Sequence, residues 1–164
     1  MAKYTFPLII DADKDTCRAY IKIELVNPHS GLKFKTNGII DTGADKCAIP
    51  ASLAKELGHD LCAGNERTIT TVNGPTEVYE HTTSINVFEF DLIKLEYSDI
   101  IALSTCETVI DYAPKLKTVL LGYKGFLEHY VFEVDYINKI FFLSDESNVF
   151  AQAATCPNCG FSLD

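Results

Sequence analysis

The sequence predicts a mostly-β single domain with one or two short helices, followed by a short tail. Apolar and β-branched stretches recur along the chain and are separated by turn-forming residues. The stretches that are rich in helix formers are few and short. With 164 residues and 47% hydrophobic content, the chain can bury one sizeable core. We therefore place one domain at 1–148 and a polar tail at 149–164.

The first predicted strands lead to an apolar pair at 39–40. Tyr20–Val26 alternates apolar and charged residues, which is the period-2 pattern of a half-buried strand, and 32–35 repeats it. Asn37-Gly38 would ordinarily indicate a hairpin turn, but another apolar pair follows it directly. We therefore interpret Gly38 as a bend or a point of close approach within one continuing strand.

A short helix and a hairpin are predicted next. Residues 52–57 are rich in helix formers, begin near a proline with a serine, and stop at Gly58. Residues 68–72 and 76–79 are rich in β-branched side chains and flank Asn-Gly-Pro at 73–75. This is the strongest hairpin signal in the chain.

The second half of the sequence predicts more short strands. They lie at 84–90, 91–95, 100–103 and 119–122. Segments 131–134 and 140–143 flank Asn138-Lys139 as a closing hairpin, and a helical turn is predicted at 125–129.

Charge and composition exclude several classes of function. The net charge of −9 argues against nucleic acid, because phosphate binding requires clustered Lys and Arg. We expect no membrane span, since no apolar run reaches the roughly 18 residues that a span needs. The first residues become acidic too early for a secretory signal, so we expect a cytoplasmic protein. The six cysteines are then thiols or metal ligands rather than disulfides.

Three motifs carry the functional prediction. The first is Ile39-Ile40-Asp41-Thr42-Gly43-Ala44, a carboxylate on a glycine-containing loop after a buried strand. The second is Asn73-Gly74 in the hairpin, and the third is Leu120-Leu121-Gly122 before the helical turn. In this order and spacing, over about residues 18 to 145, the chain resembles the retropepsin-like aspartic proteases.

The resemblance implies a single-lobe acid-protease closed barrel with a flap hairpin that covers the active site. It implies peptide or protein substrates and requires no cofactor for catalysis. The residues that it assigns to catalysis are Asp41, Thr42 and Gly43. The residues that it assigns to substrate binding are Gly43, Ala44, Asp45, Asn73 and Gly74. Leu120, Leu121 and Gly122 would support the site from beneath.

The chemistry requires a second carboxyl, because one carboxylate activates water while a protonated one polarises the carbonyl. The chain has no second Asp-Thr-Gly or Asp-Ser-Gly, since the segments around Asp11 and Asp111 lack the glycine. The second aspartate is therefore expected from another copy of Asp41 across a twofold axis. The sequence thus predicts a homodimer. The alternative is a catalytically silent retropepsin-like module that dimerises or binds peptides.

One departure from the family pattern concerns the dimer. In viral members an arginine commonly follows the later glycine and pairs with an acid just beyond the catalytic loop. Asp45 is in place as that acid, but Tyr123 stands at the arginine position, so either Lys124 substitutes or the dimer is held in another way.

The tail carries a separate motif. Cys156-Pro-Asn-Cys159-Gly160 resembles half of a zinc knuckle. A structural zinc needs two further ligands, from the tail of a partner or from Cys62 or Cys106. A redox pair and a tail without metal are the alternatives.

Overall fold

The computed structural model describes residues 2–71 and 73–145, and these residues form strands with a few short 3₁₀ turns. The strands are β1 (Lys3–Pro7), β2 (Ile9–Asp11), β3 (Thr16–Arg18), β4 (Tyr20–Val26), β5 (Lys33–Ile40), β6 (Ala48–Pro50), β7 (Asn65–Thr71), β8 (Gly74–Asp91), β9 (Glu96–Ser104), β10 (Thr108–Ala113), β11 (Val119–Leu121), β12 (Val131–Asp135) and β13 (Ile140–Ser144). The 3₁₀ turns are Ala51–Leu53, Leu61–Ala63 and Leu127–His129. The predicted mostly-β class is confirmed.

The main sheet follows the order β10-β6-β11-β5-β4-β8-β7, with β9 also paired to β8. The long strand β8 additionally pairs with β10 in antiparallel fashion. The pairings from β8 through β4, β5, β11, β6 and β10 therefore return to β8 and form a closed circuit. Many of its apolar side chains are almost fully buried, among them Ile21, Ile23, Leu25, Ile49, Tyr112 and Leu121.

A separate three-stranded sheet, in the order β1-β13-β12, joins the two ends of the described chain. Phe6 on β1 and Phe141 on β13 are fully buried, and their ring centroids lie 5.2 Å apart. The backbone amide of Ala2 donates a hydrogen bond of 2.9 Å to the Asp145 carboxylate. Both ends of the described chain are thus held in one layer.

Gly38 lies inside a continuous strand β5, as the sequence predicted. A Cβ atom at this position would lie 2.9 Å from the Leu121 side chain and 3.2 Å from Ile23. The glycine therefore allows β11 to pack closely against β5, with which it pairs in parallel.

The strand predicted at 91–95 is wrong. Only Asp91 is in a strand, and residues 92–95 form the turn between β8 and β9. The Asp91 carboxylate accepts hydrogen bonds from the amides of Ile93 and Lys94, and the amide of Leu95 donates to the Asp91 carbonyl. This local capping fixes the turn despite its apolar side chains.

The helix predicted at 52–57 is shorter than expected. A 3₁₀ turn at Ala51–Leu53 continues into hydrogen-bonded turns that end at Gly58, whose φ is +72°. The helical turn predicted at 125–129 is observed as the 3₁₀ turn Leu127–His129. None of the helical segments in residues 2–71 and 73–145 is long and apolar enough to cross a membrane.

The hairpin around Asn73-Gly74 is confirmed. Strands β7 and β8 pair from Asn65↔Glu80 to Thr71↔Gly74. Gly74 has a φ of +97°, and its carbonyl accepts a hydrogen bond of 2.8 Å from the Thr71 hydroxyl. Most side chains of β7 are exposed. Strand β7 therefore forms an exposed edge of the main sheet.

Two histidines stack beside the core. The rings of His59 and His81 lie 4.5 Å apart and meet Tyr112 edge-on. His59 Nε2 is buried and has no hydrogen-bond partner among the described residues. Burial, with the neighbouring His81 and His29 as smaller causes, lowers the pKa of His59 to about 4. The folded protein therefore holds this imidazole neutral in mildly acidic solution.

We expect His59 to make the protein less stable as the pH falls from about 6.5 towards 4, because only the unfolded chain then binds the proton. With a discount for partial exposure, the loss is about 1–2 kcal/mol. Urea unfolding at neutral and mildly acidic pH should show a smaller pH dependence for His59→Phe than for the wild type. An identical pH dependence in both would contradict this assignment.

Candidate active site

Asp41 lies on a loop, residues 41–47, that connects β5 to β6. Because β5 pairs in parallel with β11, the strand end is fixed, and the amide of Asp41 donates to the Leu121 carbonyl at 3.1 Å. The amide of Gly43 donates to the Asp41 carboxylate at 2.9 Å, and the amide of Ala44 donates to the Asp41 carbonyl at 3.2 Å. The backbone of the loop thus orients the carboxylate.

The segment that follows β11 holds this loop from beneath. The amide of Tyr123 donates to the Ala44 carbonyl at 2.8 Å. A Cβ atom at Gly122 would lie 2.6 Å from the carbonyl oxygens of both Ala44 and Lys46. Only glycine fits here without displacing the backbone, so the position predicted to support the site does contact the loop.

The expected arginine has no side-chain substitute within the described chain. Tyr123 is 59% exposed. The amide of Lys124 donates to the Asp45 carbonyl at 3.0 Å, but the side chains of these two residues form no ion pair with each other. Within one protomer, the described residues connect these two positions through the backbone.

Asp41 and Thr42 line a cavity of about 370 Å³. Many of its lining residues are apolar or aromatic, including Tyr20, Ile39, Leu120, Phe132, Val134 and Tyr136, but polar atoms form the larger part of its surface. Arg18 supplies the one cationic side chain of this wall, and Asp41 supplies its one carboxylate, among the described residues. A single protomer therefore offers one acid in a cavity of mixed polarity.

The remaining predicted substrate-binding residues occupy two places. Gly43, Ala44 and Asp45 lie on the Asp41 loop, whereas Asn73 and Gly74 lie at the tip of the β7–β8 hairpin and do not line the cavity that contains Asp41. Asp45 lines a second cavity of about 770 Å³, with residues from the base of that hairpin. The loop and the hairpin thus meet at the hairpin base.

Four charged residues between the loop and the hairpin base were missed by the sequence reasoning. They are Lys46, Arg67, Glu80 and Asp111. Asp111 was considered only as a second catalytic acid. Its place within the apolar stretch Val109-Ile110-Asp111-Tyr112-Ala113 was the available sequence signal, and the structure shows that this carboxylate is buried.

Cys47 ends the loop as a fully buried thiol, 3.8 Å from the Gly122 carbonyl. Burial raises the pKa of this thiol to about 12. In the native protein at mildly alkaline pH we expect Cys47 to be alkylated at least about 100-fold more slowly than the exposed Cys62 and Cys106, because the thiolate is the reactive form. Mass spectrometry of tryptic peptides after timed labelling measures this, and comparable rates would contradict it.

The zinc prediction for Cys156 and Cys159 concerns residues outside those that the structure describes, and it stays a prediction. Cys62 and Cys106 are both exposed. Within residues 2–71 and 73–145, no group of three or more His, Cys, Asp or Glu side chains could hold a metal ion.

Comparison with known proteins agrees with this geometry. Residues 29–124, more than half of the chain, match the family described as aspartyl protease. The fold is similar to that of a retropepsin-like aspartic protease from Rickettsia conorii, with a TM-score of 0.59 and 22% sequence identity, over 87% of this chain and 99% of the other. No curated protein matches the sequence. The chain belongs to the aspartyl protease family, and its fold is retropepsin-like.

Proposed function

We propose that this protein is an aspartic endopeptidase that hydrolyses peptide bonds as a homodimer, with Asp41 of each subunit forming the catalytic pair. The observation that carries the proposal is the position of Asp41 in the wall of a partly apolar cavity in which no other described residue contributes a carboxylate. One carboxyl cannot serve as both base and acid in the same step, so a second copy must supply its partner.

In such a dimer the two Asp41 carboxyls would share one proton, because like charges about 3 Å apart cannot both ionise, as is known for aspartic proteases. The ionised carboxylate takes a proton from water, and the oxygen attacks the peptide carbonyl carbon. The protonated carboxyl donates to the carbonyl oxygen. A proton then passes to the nitrogen as the C–N bond breaks, which yields an acid and an amine.

The other predicted residues have supporting roles in this proposal. Thr42 would hydrogen-bond across the dimer, and Gly43 keeps the space above the carboxylate free for substrate backbone. Asn73 and Gly74 would close over the substrate, whose extended backbone can pair with the hairpin as an added strand. We place the peptidase domain at 1–148 and a separate tail at 149–164.

The test is digestion of a mixed peptide library under mildly acidic conditions over a range of enzyme concentrations. We expect internal cleavage, and we expect the activity per mole of protein to fall on dilution because the dimer dissociates. Mass spectrometry of the products gives the cleavage sites. The absence of cleavage at concentrations where sedimentation shows a dimer would favour the silent module. The cytoplasmic setting stays a prediction.

A further inference from the structure

Four charged side chains form a closed network between the Asp41 loop and the base of the β7–β8 hairpin. Lys46 Nζ lies 2.8 Å from Glu80 Oε1 and 3.0 Å from Asp111 Oδ1. Arg67 Nε lies 3.1 Å from Glu80 Oε1, and its Nη2 lies 2.6 Å from Asp111 Oδ2. Each cation contacts both anions. Because there are two cations and two anions, the formal charges cancel. We call this group the four-charge cluster.

The cluster is more buried than an ordinary surface ion pair. The Asp111 side chain is 4% exposed, whereas Lys46 and Glu80 are 18% and 19% exposed and Arg67 is 40% exposed. Buried charges contribute little net stability, because desolvation offsets their attraction and an apolar replacement is often as stable. What such a network does secure is a defined geometry, since every charged group needs its partners in place.

The geometry that the cluster defines joins three elements. Lys46 lies on the Asp41 loop, and its backbone packs against Gly122. Arg67 and Glu80 lie on the two strands of the hairpin, near its base. Asp111 lies on β10, where it is in register with both Glu80 on β8 and Ala48 on β6. The side chains thus connect the hairpin to the loop that carries Asp41.

Arg67 makes two hydrogen bonds to the Asp111 carboxylate, and these restrict its orientation more than the other contacts in the cluster do. Its Nε and Nη2 atoms donate to the two oxygens of the Asp111 carboxylate, at 3.3 and 2.6 Å. This paired arrangement fixes the orientation of the guanidinium plane and, with it, strand β7. A lysine at the same position would keep the charge but could not make both bonds in one plane.

We propose that the four-charge cluster holds the β7–β8 hairpin in position over the Asp41 loop, and that Arg67 is its principal positioning residue. The expected effect on substrate binding rests on the proposed peptidase function, whereas the connection between the hairpin and the loop does not. If the hairpin pairs with substrate backbone, a hairpin that is not held at its base must be ordered by the substrate itself. Substrate binding would then weaken, while the chemistry at Asp41 would be preserved.

The test compares Arg67→Met and Arg67→Lys with the wild type, and Lys35→Met serves as the matched control. Lys35 forms an exposed ion pair with Asp99 that joins β5 to β9, outside the cluster. Amide hydrogen exchange is the readout that does not depend on activity. For Arg67→Met we expect exchange about 10-fold faster in the hairpin and also in residues 41–47, with no change for Lys35→Met. Unchanged exchange in the hairpin of a folded Arg67→Met protein would overturn the proposal.

Kinetics on a cleaved peptide supply the second readout. We expect Arg67→Met to raise KM about 10-fold with kcat within about 3-fold of the wild type, and Arg67→Lys to raise KM about 3-fold. Arg67→Lys also keeps the cluster neutral, so it can test the positioning role if Arg67→Met does not fold. An unchanged KM in a folded Arg67 variant would overturn the positioning role. If the wild type cleaves nothing, the proposed function fails, and the exchange measurement still decides whether the hairpin and the loop are coupled.

Discussion

Replacement of Asp41 by asparagine should abolish peptide cleavage and leave the fold intact. Asparagine keeps the oxygen that accepts the hydrogen bond from the Gly43 amide, so the loop retains its geometry. It cannot take a proton from water, and it cannot share a proton with a second carboxyl. We expect the rate to fall by at least about 1,000-fold. Cleavage of the same peptide mixture measures the loss of activity, and a thermal unfolding curve shows whether the fold is intact.

A matched control is Asp99→Asn, which removes an exposed carboxylate that pairs with Lys35 on β5. It should cleave like the wild type. Equal cleavage by wild type and Asp41→Asn would remove Asp41 from the mechanism. Mixing wild-type and Asp41→Asn subunits in equal amounts also tests the dimer. With free exchange, about one quarter of the dimers carry two aspartates, so activity should fall to about that fraction of an all-wild-type sample at the same total concentration.

Replacement of Gly122 by alanine should destabilise the fold more than any other glycine substitution near the site. The added Cβ would lie 2.6 Å from two carbonyl oxygens of the Asp41 loop, and neither is the end of a flexible side chain. The backbone must therefore shift, at an expected cost of about 2–4 kcal/mol. Urea unfolding followed by circular dichroism gives this value.

Gly43→Ala is the informative comparison, because its Cβ would meet only the Asp41 carboxylate, at 3.3 Å. We expect a loss of activity with little change in the free energy of unfolding, since the carboxylate is displaced and the backbone is not. If Gly122→Ala proves as stable as the wild type, the tight contact beneath the loop is not structurally required. Comparison of Gly122→Ala with Gly43→Ala thus separates the structural support of the loop from catalysis by Asp41.

Local sequence pattern was sufficient for much of the fold and for the position of Asp41. The alternation in Tyr20–Val26, the turn residues at 73–75 and the apolar-apolar-glycine segment at 120–122 each reflect short-range constraints, and each was placed correctly. The segment 91–95 was assigned wrongly because its apolar side chains suggest a strand, whereas one aspartate fixes a turn there. Propensity does not register a single capping side chain.

The four-charge cluster could not be predicted because its members are distant in sequence. Lys46 and Asp111 come together only through the pairing of β6 with β10, and Arg67 joins them through the hairpin. Strand β10 itself was not predicted, since Asp111 interrupts its apolar pattern. A charged residue can be assigned to a buried strand position only when the residues that pair with it are known.

The sheet formed by β1, β13 and β12 is built from strands of a single chain. Because β1 pairs with β13 of the same chain, this layer needs no strand from a second copy. In the proposed homodimer, each subunit would therefore fold before it pairs. The concentration of the protein would then set the fraction that is active.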